Sequence, residues 1–212
     1  MNPTIITISR EYGSGGHQIG RKVAEQLQIP FYDREIIEQT AKESGFTPEF
    51  VEGREERLSN SVLYNFALGA IYGISYPQKP KMSELPVTEQ LFLAQRKVIE
   101  DLASKGSCVI VGRCADYILK DYPNLLKIFL YADPVIRQRR AIQEYQRPAE
   151  YIKEILAQID KMRRIYYETY TVNRWDAKEN YHLMLDTGLL GIDNCVDLIC
   201  QAVHLISPDK HI

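Results

Sequence analysis

Ser9-Arg10-Glu11-Tyr12-Gly13-Ser14-Gly15-Gly16-His17-Gln18-Ile19-Gly20-Arg21 is the most informative run in these 212 residues. Thr4-Ile5-Ile6-Thr7-Ile8 precedes it, β-branched throughout and suited to a buried strand. Beyond it, Ile19, Val23, Ala24 and Leu27 recur at three- and four-residue spacing, which predicts a helix. Strand, glycine-rich turn and helix together form a phosphate cradle. Gly13, Gly15 and Gly16 permit positive φ and let main-chain N–H groups approach an anion. The helix start adds unpaired N–H groups and the positive end of the helix dipole. An ordinary strand-to-helix turn also uses a glycine or two; three in four residues favour the cradle. Gly13, Ser14, Gly15, Gly16, His17 and Gln18 are therefore the expected phosphate-binding residues.

The run departs from the usual phosphate-loop pattern, G-x-x-x-x-G-K-[ST]. In register with Gly13-Ser14-Gly15, the first glycine falls at Arg10, the lysine at Gly16 and the hydroxyl residue at His17. In that pattern the lysine supports the transferred phosphate and the hydroxyl helps hold Mg²⁺. Both are missing, so the sequence supports a phosphate site more firmly than a phosphoryl-transfer engine. Arg10 is the neighbouring cation that could replace the lysine.

Composition narrows the choices. The length suits one domain with an ample core, or a core with an insertion. A net charge of −2 gives no global basic field for nucleic acid. Cys108, Cys114, Cys195 and Cys200 lack C-x-x-C spacing and read as buried reduced thiols, which suits the cytoplasm. No secretory signal is visible and no apolar run reaches membrane-spanning length. The expectation is a cytoplasmic protein with neither nucleic-acid nor membrane partners.

Further along, Phe31-Tyr32-Asp33 reads as a short strand ending in an acid, followed by a helix over 34–42. Asp33 is either that helix's N-cap or a ligand-facing group at a strand's C-terminal edge. Residues 45–58 are charged, as a surface helix pair or loop. Gly69 and Gly73 in the apolar run 62–73 mark a buried helix end, with a homodimer contact as the alternative. The prolines at 77, 80 and 86 mark a loop. A strong helix covers 88–105. Cys108-Val109-Ile110-Val111 then forms a buried strand ending in Gly112-Arg113, an arginine placed for an oxyanion or for a surface salt bridge; the strand-end position favours the oxyanion. A short helix over 115–119 and a strand over 125–131 follow. Asp133-Pro134 caps a helix carrying Arg137, Arg139 and Arg140. A long helix over 149–171 carries Asp160, Lys161, Arg163 and Arg164, with Tyr166, Tyr167 and Tyr170 read as packing. The last strand covers 181–185 and the last helix 192–206. Five short apolar strands alternating with helices predict an α/β fold, a mostly parallel five-stranded sheet with helices on both faces.

In order and spacing these phrases resemble bacterial cytidylate kinases, and more closely the cytidylate kinase-like family. The resemblance rests on Ser9–Gly16, on Phe31-Tyr32-Asp33-Arg34-Glu35, on Val109–Leu119 and on Tyr166-Tyr167 with Trp175. It implies a three-layer P-loop NTPase-like fold with a helical lid. It implies one kinase-like domain over 1–212, with a monophosphate-binding helical insertion over 34–105 and a lid over 137–165.

What the resemblance implies for function is an ATP- and Mg²⁺-dependent kinase taking a nucleotide donor and a small phosphate-bearing acceptor. The loop 13–18 would hold the donor's phosphates. Arg113, Arg137 and Arg140 would serve the transferred group as catalytic residues, and Arg10 joins them from its place beside the missing lysine rather than from the resemblance. Asp33 and the pair Asp160 and Arg163 would bind the acceptor, with Arg164 added from its place on the same cationic helix face. The missing lysine keeps a second expectation open, a non-catalytic nucleotide- or phosphate-binding module.

Overall fold

The computed structural model describes residues 3–55 and 85–206. The stretch holding Gly69, Gly73 and the predicted proline-rich loop, and with it the homodimer contact, falls largely outside those residues. In chain order the elements are β1 (Ile5–Arg10), α1 (Gly16–Leu27), β2 (Phe31–Tyr32), α2 (Arg34–Ser44), α3 (Pro48–Glu55) and α4 (Val87–Ser104). There follow β3 (Cys108–Val111), α5 (Ala115–Ile118), β4 (Leu125–Tyr131), α6 (Pro134–Gln143), α7 (Ile152–Tyr170), β5 (Leu183–Asp186), α8 (Thr187–Leu190) and α9 (Ile192–Ile206).

The strands lie in the order β2-β3-β1-β4-β5, and all four pairings are parallel. β1 is central, with Ile5 opposite Cys108 on one side and Leu125 on the other. Because side chains alternate across a strand, the apolar runs feed both faces. Ile6 and Ile8 pack with Val109, Val111 and Ile128 against Ile19 and Val23 of α1 and Cys195, Val196 and Ile199 of α9. Ile5, Cys108 and Ile110 face the other way, against Ile36 of α2 and Val98, Ile99 and Leu102 of α4. The result is three layers, helix–sheet–helix, as the alternation of strands and helices predicts.

A third apolar group, Cys114, Phe129, Tyr167, Trp175 and Tyr181, seats the C-terminal half of α7. Phe92 of α4 stacks on Tyr170 with ring centroids 4.1 Å apart, and the Tyr170 hydroxyl donates to the Thr88 carbonyl at 3.0 Å. The long predicted helix begins later than expected: Pro148 leads into a 3₁₀ turn over Ala149–Tyr151 before α7 starts. Tyr181 and His182 precede β5 rather than belonging to it. All four cysteines are buried and free. Every strand's C-terminal end lies at one edge of the sheet, which gathers the segments after β1, β2, β3, β4 and β5 where open α/β sheets hold ligands.

Candidate functional site: a phosphate loop and an arginine-lined cavity

Between β1 and α1 the chain turns through Gly13 (φ 80°) and Gly15 (φ 82°), both left-handed. A Cβ on Gly13 would come within 2.6 Å of the Arg137 carbonyl oxygen, and one on Gly15 within 2.5 Å of Ile192 Cδ1. Conformation and space thus both require glycine there. Ser14 closes the turn, donating its amide (3.3 Å) and its hydroxyl (2.8 Å) to the Glu11 carbonyl. Among the described residues, the amides of Gly13, Gly15, Gly16, His17 and Gln18 have no protein acceptor. Three of these glycines are buried. Unpaired N–H groups are ordinary at a helix start, but the three on buried glycines are the less common case, and their arrangement is one that can receive an anion.

The loop's carbonyls, in contrast, are taken up in alternation. Arg163 Nη1 donates to the Arg10 carbonyl (3.0 Å), Arg137 Nη1 to the Tyr12 carbonyl (3.3 Å) and Arg140 Nη1 to the Ser14 carbonyl (3.1 Å). Asp160 Oδ1 accepts from the Tyr12 amide at 2.7 Å, while its Oδ2 accepts from Arg137 at 2.5 Å. Arg137 also forms an ion pair with Glu11 at 3.3 Å. Thr187 donates its hydroxyl to the Ser14 carbonyl (2.7 Å), and Arg140 Nη2 donates to the Thr187 carbonyl (2.8 Å). Four residues singled out from the sequence for the transferred phosphate or the acceptor are therefore bonded to the loop's main chain. Arg164 turns away, paired with Asp176 at 3.0 Å and lying over the Trp175 ring.

Arg10 takes another course. Its side chain crosses the start of α1 so closely that a Cβ on Gly16 would lie 2.7 Å from Arg10 Cγ and 2.8 Å from its Cβ. Its guanidinium then rests against Gly112, where a Cβ would overlap Nη1. Arg10 lies over the position that the absent lysine would occupy.

Beside it opens a cavity of about 400 Å³. Arg10, Arg34, Arg113 and Arg163 line it against two acids, Asp33 and Glu52, with Tyr166, Tyr167 and Trp175 as an aromatic wall. Arg113 Nη1 donates to Asp33 Oδ1 at 2.8 Å, and the Arg113 side chain is only 8% exposed. Asp33 precedes α2 but its side chain makes no capping bond there; the carboxylate turns to Arg113 instead. Burial pushes its carboxyl up, and Arg10 and Arg113 more than reverse this, holding it below the usual value. His17 Nε2 lies 3.8 Å from Asp33 Oδ2. Burial, and then the charge of Arg10, lower the proton affinity of Arg163, which stays charged at neutral pH. The Arg10 and Arg163 guanidinium groups thus lie close enough to disfavour each other's charge. Under the aromatic wall, Tyr167 donates to Asp116 Oδ2 at 2.7 Å, and burial pushes the Asp116 carboxyl up.

Sequence reading did not single out Arg34, Glu52 or Met162, which also line the cavity. For Arg34 a signal existed, since it directly follows Asp33 at a strand end. For Glu52 and Met162 none did, because only the folding of α3 and α7 brings them there.

A parallel 2-3-1-4-5 sheet with a glycine turn after its central strand defines a kinase-like P-loop fold. The sequence profile of the cytidylate kinase-like family matches residues 5–189, and the chain belongs to that family. Among curated relatives, a cytidylate kinase from Pyrobaculum islandicum is 24% identical over 205 residues, covering 94% of each chain. Among solved structures, an uncharacterized protein from Eubacterium ventriosum superposes with a TM-score of 0.70 at 25% identity, covering 95% of this chain and 98% of that one. A shikimate kinase from Acinetobacter baumannii, bound to shikimate, matches with a TM-score of 0.53 at 16% identity over 98% of this chain and 96% of that one, and so shares the fold. No helix among the described residues is long and apolar enough to cross a membrane.

Proposed function

We propose that this protein is a kinase that uses ATP with Mg²⁺ to phosphorylate a nucleoside monophosphate of the cytidylate type or a related small phosphate-bearing acceptor. One observation carries the reading: five unpaired amides at 13 and 15–18 adjoin a cavity where four arginines face two acids. The name of the Pyrobaculum relative supports the acceptor class. Phosphoryl transfer asks little covalent chemistry of a protein; it needs alignment and neutralisation of charge on the moving group. The loop amides would hold the donor's phosphates. Arg10, between loop and cavity, would face the transferred group, and Arg113, held by Asp33, would orient the acceptor's phosphate. Arg137 and Arg140 would act through the loop they fasten, with Asp160. Arg163 would both hold the loop and line the acceptor cavity.

The donor set also bears on the metal. Among the described residues no group of three His, Cys, Asp or Glu side chains comes together. Asp33, beside His17, is a cavity carboxylate near the loop. Its 2.8 Å bond to Arg113 occupies that carboxylate, so Mg²⁺ would be carried chiefly by the donor's phosphates and its own waters. Bound so, it would neutralise charge between the donor's phosphates. The described parts of segment 34–105, residues 34–55 and 85–105, would frame the acceptor, and 137–165 would form the lid side. The free thiols suit the cytoplasm.

Gly16 and His17, in place of lysine and a hydroxyl residue, favour a second reading, a binding module without turnover. ADP release, coupled to an indicator and measured with CMP, dCMP, UMP and AMP in turn, separates the two. The kinase reading expects turnover with at least one of these and its loss in Arg113→Ala. Nucleotide-induced thermal stabilisation without turnover on any acceptor would leave the module.

A further inference from the structure

We infer that Arg10, Gly16 and Gly112 form one unit that has moved the loop's phosphate-directed cation from the helix start to the strand end. The inference deepens the kinase reading and rests on it. In G-x-x-x-x-G-K-[ST] the residue at position 10 is glycine and the residue at position 16 is lysine; here the two types are exchanged. The geometry explains why each exchange requires the other. Arg10 Cγ fills the space 2.7 Å from where a side chain on Gly16 would begin, so a lysine at 16 and an arginine at 10 exclude each other. Gly112 opens the far end of the same channel: its φ of 75° and the guanidinium lying on it both demand glycine. The backbone at the channel's mouth is fixed, because the Arg10 carbonyl accepts from Arg163.

The relocation also changes the direction from which the charge arrives. A lysine on α1 would rise from the helix start. Arg10 instead enters along the floor of the cavity that Asp33 and Arg113 line, and its charge acts on Asp33 and Arg163. It therefore stands between donor and acceptor, where a single guanidinium can bond two phosphate groups through its forked donors.

Titration calorimetry with tripolyphosphate, a base-free stand-in for the donor's phosphates, tests this. The set is wild type, Arg10→Lys, Arg10→Met, Arg10→Gly, Gly16→Lys and the double variant Arg10→Gly/Gly16→Lys, with circular dichroism and thermal midpoints alongside. The expected result is that Arg10→Met, which keeps the stem and loses the charge, weakens binding about tenfold or more, while Arg10→Lys retains most of it. Gly16→Lys alone is expected to bind worse than wild type, and the double variant to recover about tenfold over Arg10→Gly. A purely structural Arg10 predicts that Arg10→Lys and Arg10→Met, which share the stem and differ in charge, bind tripolyphosphate alike. Binding by Arg10→Met equal to wild type overturns the inference, as does a folded double variant no better than Arg10→Gly. Should the double variant fail to fold, the Lys–Met comparison decides. Failure of the wild type to bind either tripolyphosphate or ATP would remove the kinase reading itself, a result distinct from wild-type binding that ignores position 10.

Discussion

Asp160 is the residue whose removal tests most sharply whether the α6–α7 hairpin holds the phosphate loop. Its carboxylate makes two charge-assisted bonds, accepting from the Tyr12 amide at 2.7 Å and from Arg137 at 2.5 Å, and its side chain is 16% exposed. Hydrogen bonds to charged groups contribute about 1.5–3 kcal/mol each. Glu11 stays 3.3 Å from Arg137 after truncation, so the loss should fall below the sum. Asp160→Ala is then expected to destabilise by about 3 kcal/mol, or roughly 6–12 °C in thermal midpoint for a chain of this size. Asp160→Asn keeps an acceptor for the Tyr12 amide and loses the charge, and should cost about half as much. Urea unfolding supplies the free energies. The same samples, scanned with and without tripolyphosphate, report whether the loop still binds. An Asp160→Ala protein within about 0.5 kcal/mol of wild type, stabilised equally by tripolyphosphate, would refute the fastening of the loop by the hairpin.

Arg113→Ala should lower turnover by about 10³-fold, since it removes the buried guanidinium that Asp33 holds at 2.8 Å in the cavity wall; single-turnover kinetics check this. The same variant carries a pH signature. Asp33 is held below its ordinary value of 3.8, so it adds stability above that pH that is lost as pH falls through its folded value. Without Arg113 that contribution shrinks, and acid unfolding followed by circular dichroism should begin at higher pH. Asp116 has the opposite sign: burial raises its carboxyl above 3.8, so stability falls as pH climbs from there to its folded value. Asp116→Asn, which resembles the neutral acid, should flatten that decline in urea midpoints taken from acid to alkaline pH. Gly20→Ala would place a Cβ 3.0 Å from Phe31, 3.1 Å from Val111 and 3.2 Å from Ile8, and should destabilise by about 1–3 kcal/mol in urea unfolding.

The strands were legible because parallel strands buried on both faces read as continuous apolar runs, as Ile5-Ile6-Thr7-Ile8 and Cys108–Val111 do. The glycine turn was legible because only glycine meets the φ values at 13 and 15. The cap at Asp133 followed from Asp-Pro and is seen, its side chain accepting from the Val135 amide at 2.8 Å. The direction of long side chains was not legible. Spacing puts Arg137, Arg140 and Arg163 on helix faces; it says nothing of what lies opposite, which turned out to be the carbonyls of 10, 12 and 14. The Asp33–Arg113 pair joins residues 80 apart in sequence, and only the adjacency of β2 and β3 reveals it. Arg10 fell at a position the usual loop gives to glycine, so nothing local predicted its path over Gly16.

The central claim is that main-chain amides at 13 and 15–18 receive a polyanion. Amide ¹H–¹⁵N spectra recorded while ATP is titrated into the full chain address it directly. Large, saturable shifts at Gly13, Gly15, Gly16, His17 and Gln18, with smaller ones at Gly112 and Arg113, are the predicted outcome. Binding that leaves those five resonances in place, or no binding at all, would contradict it.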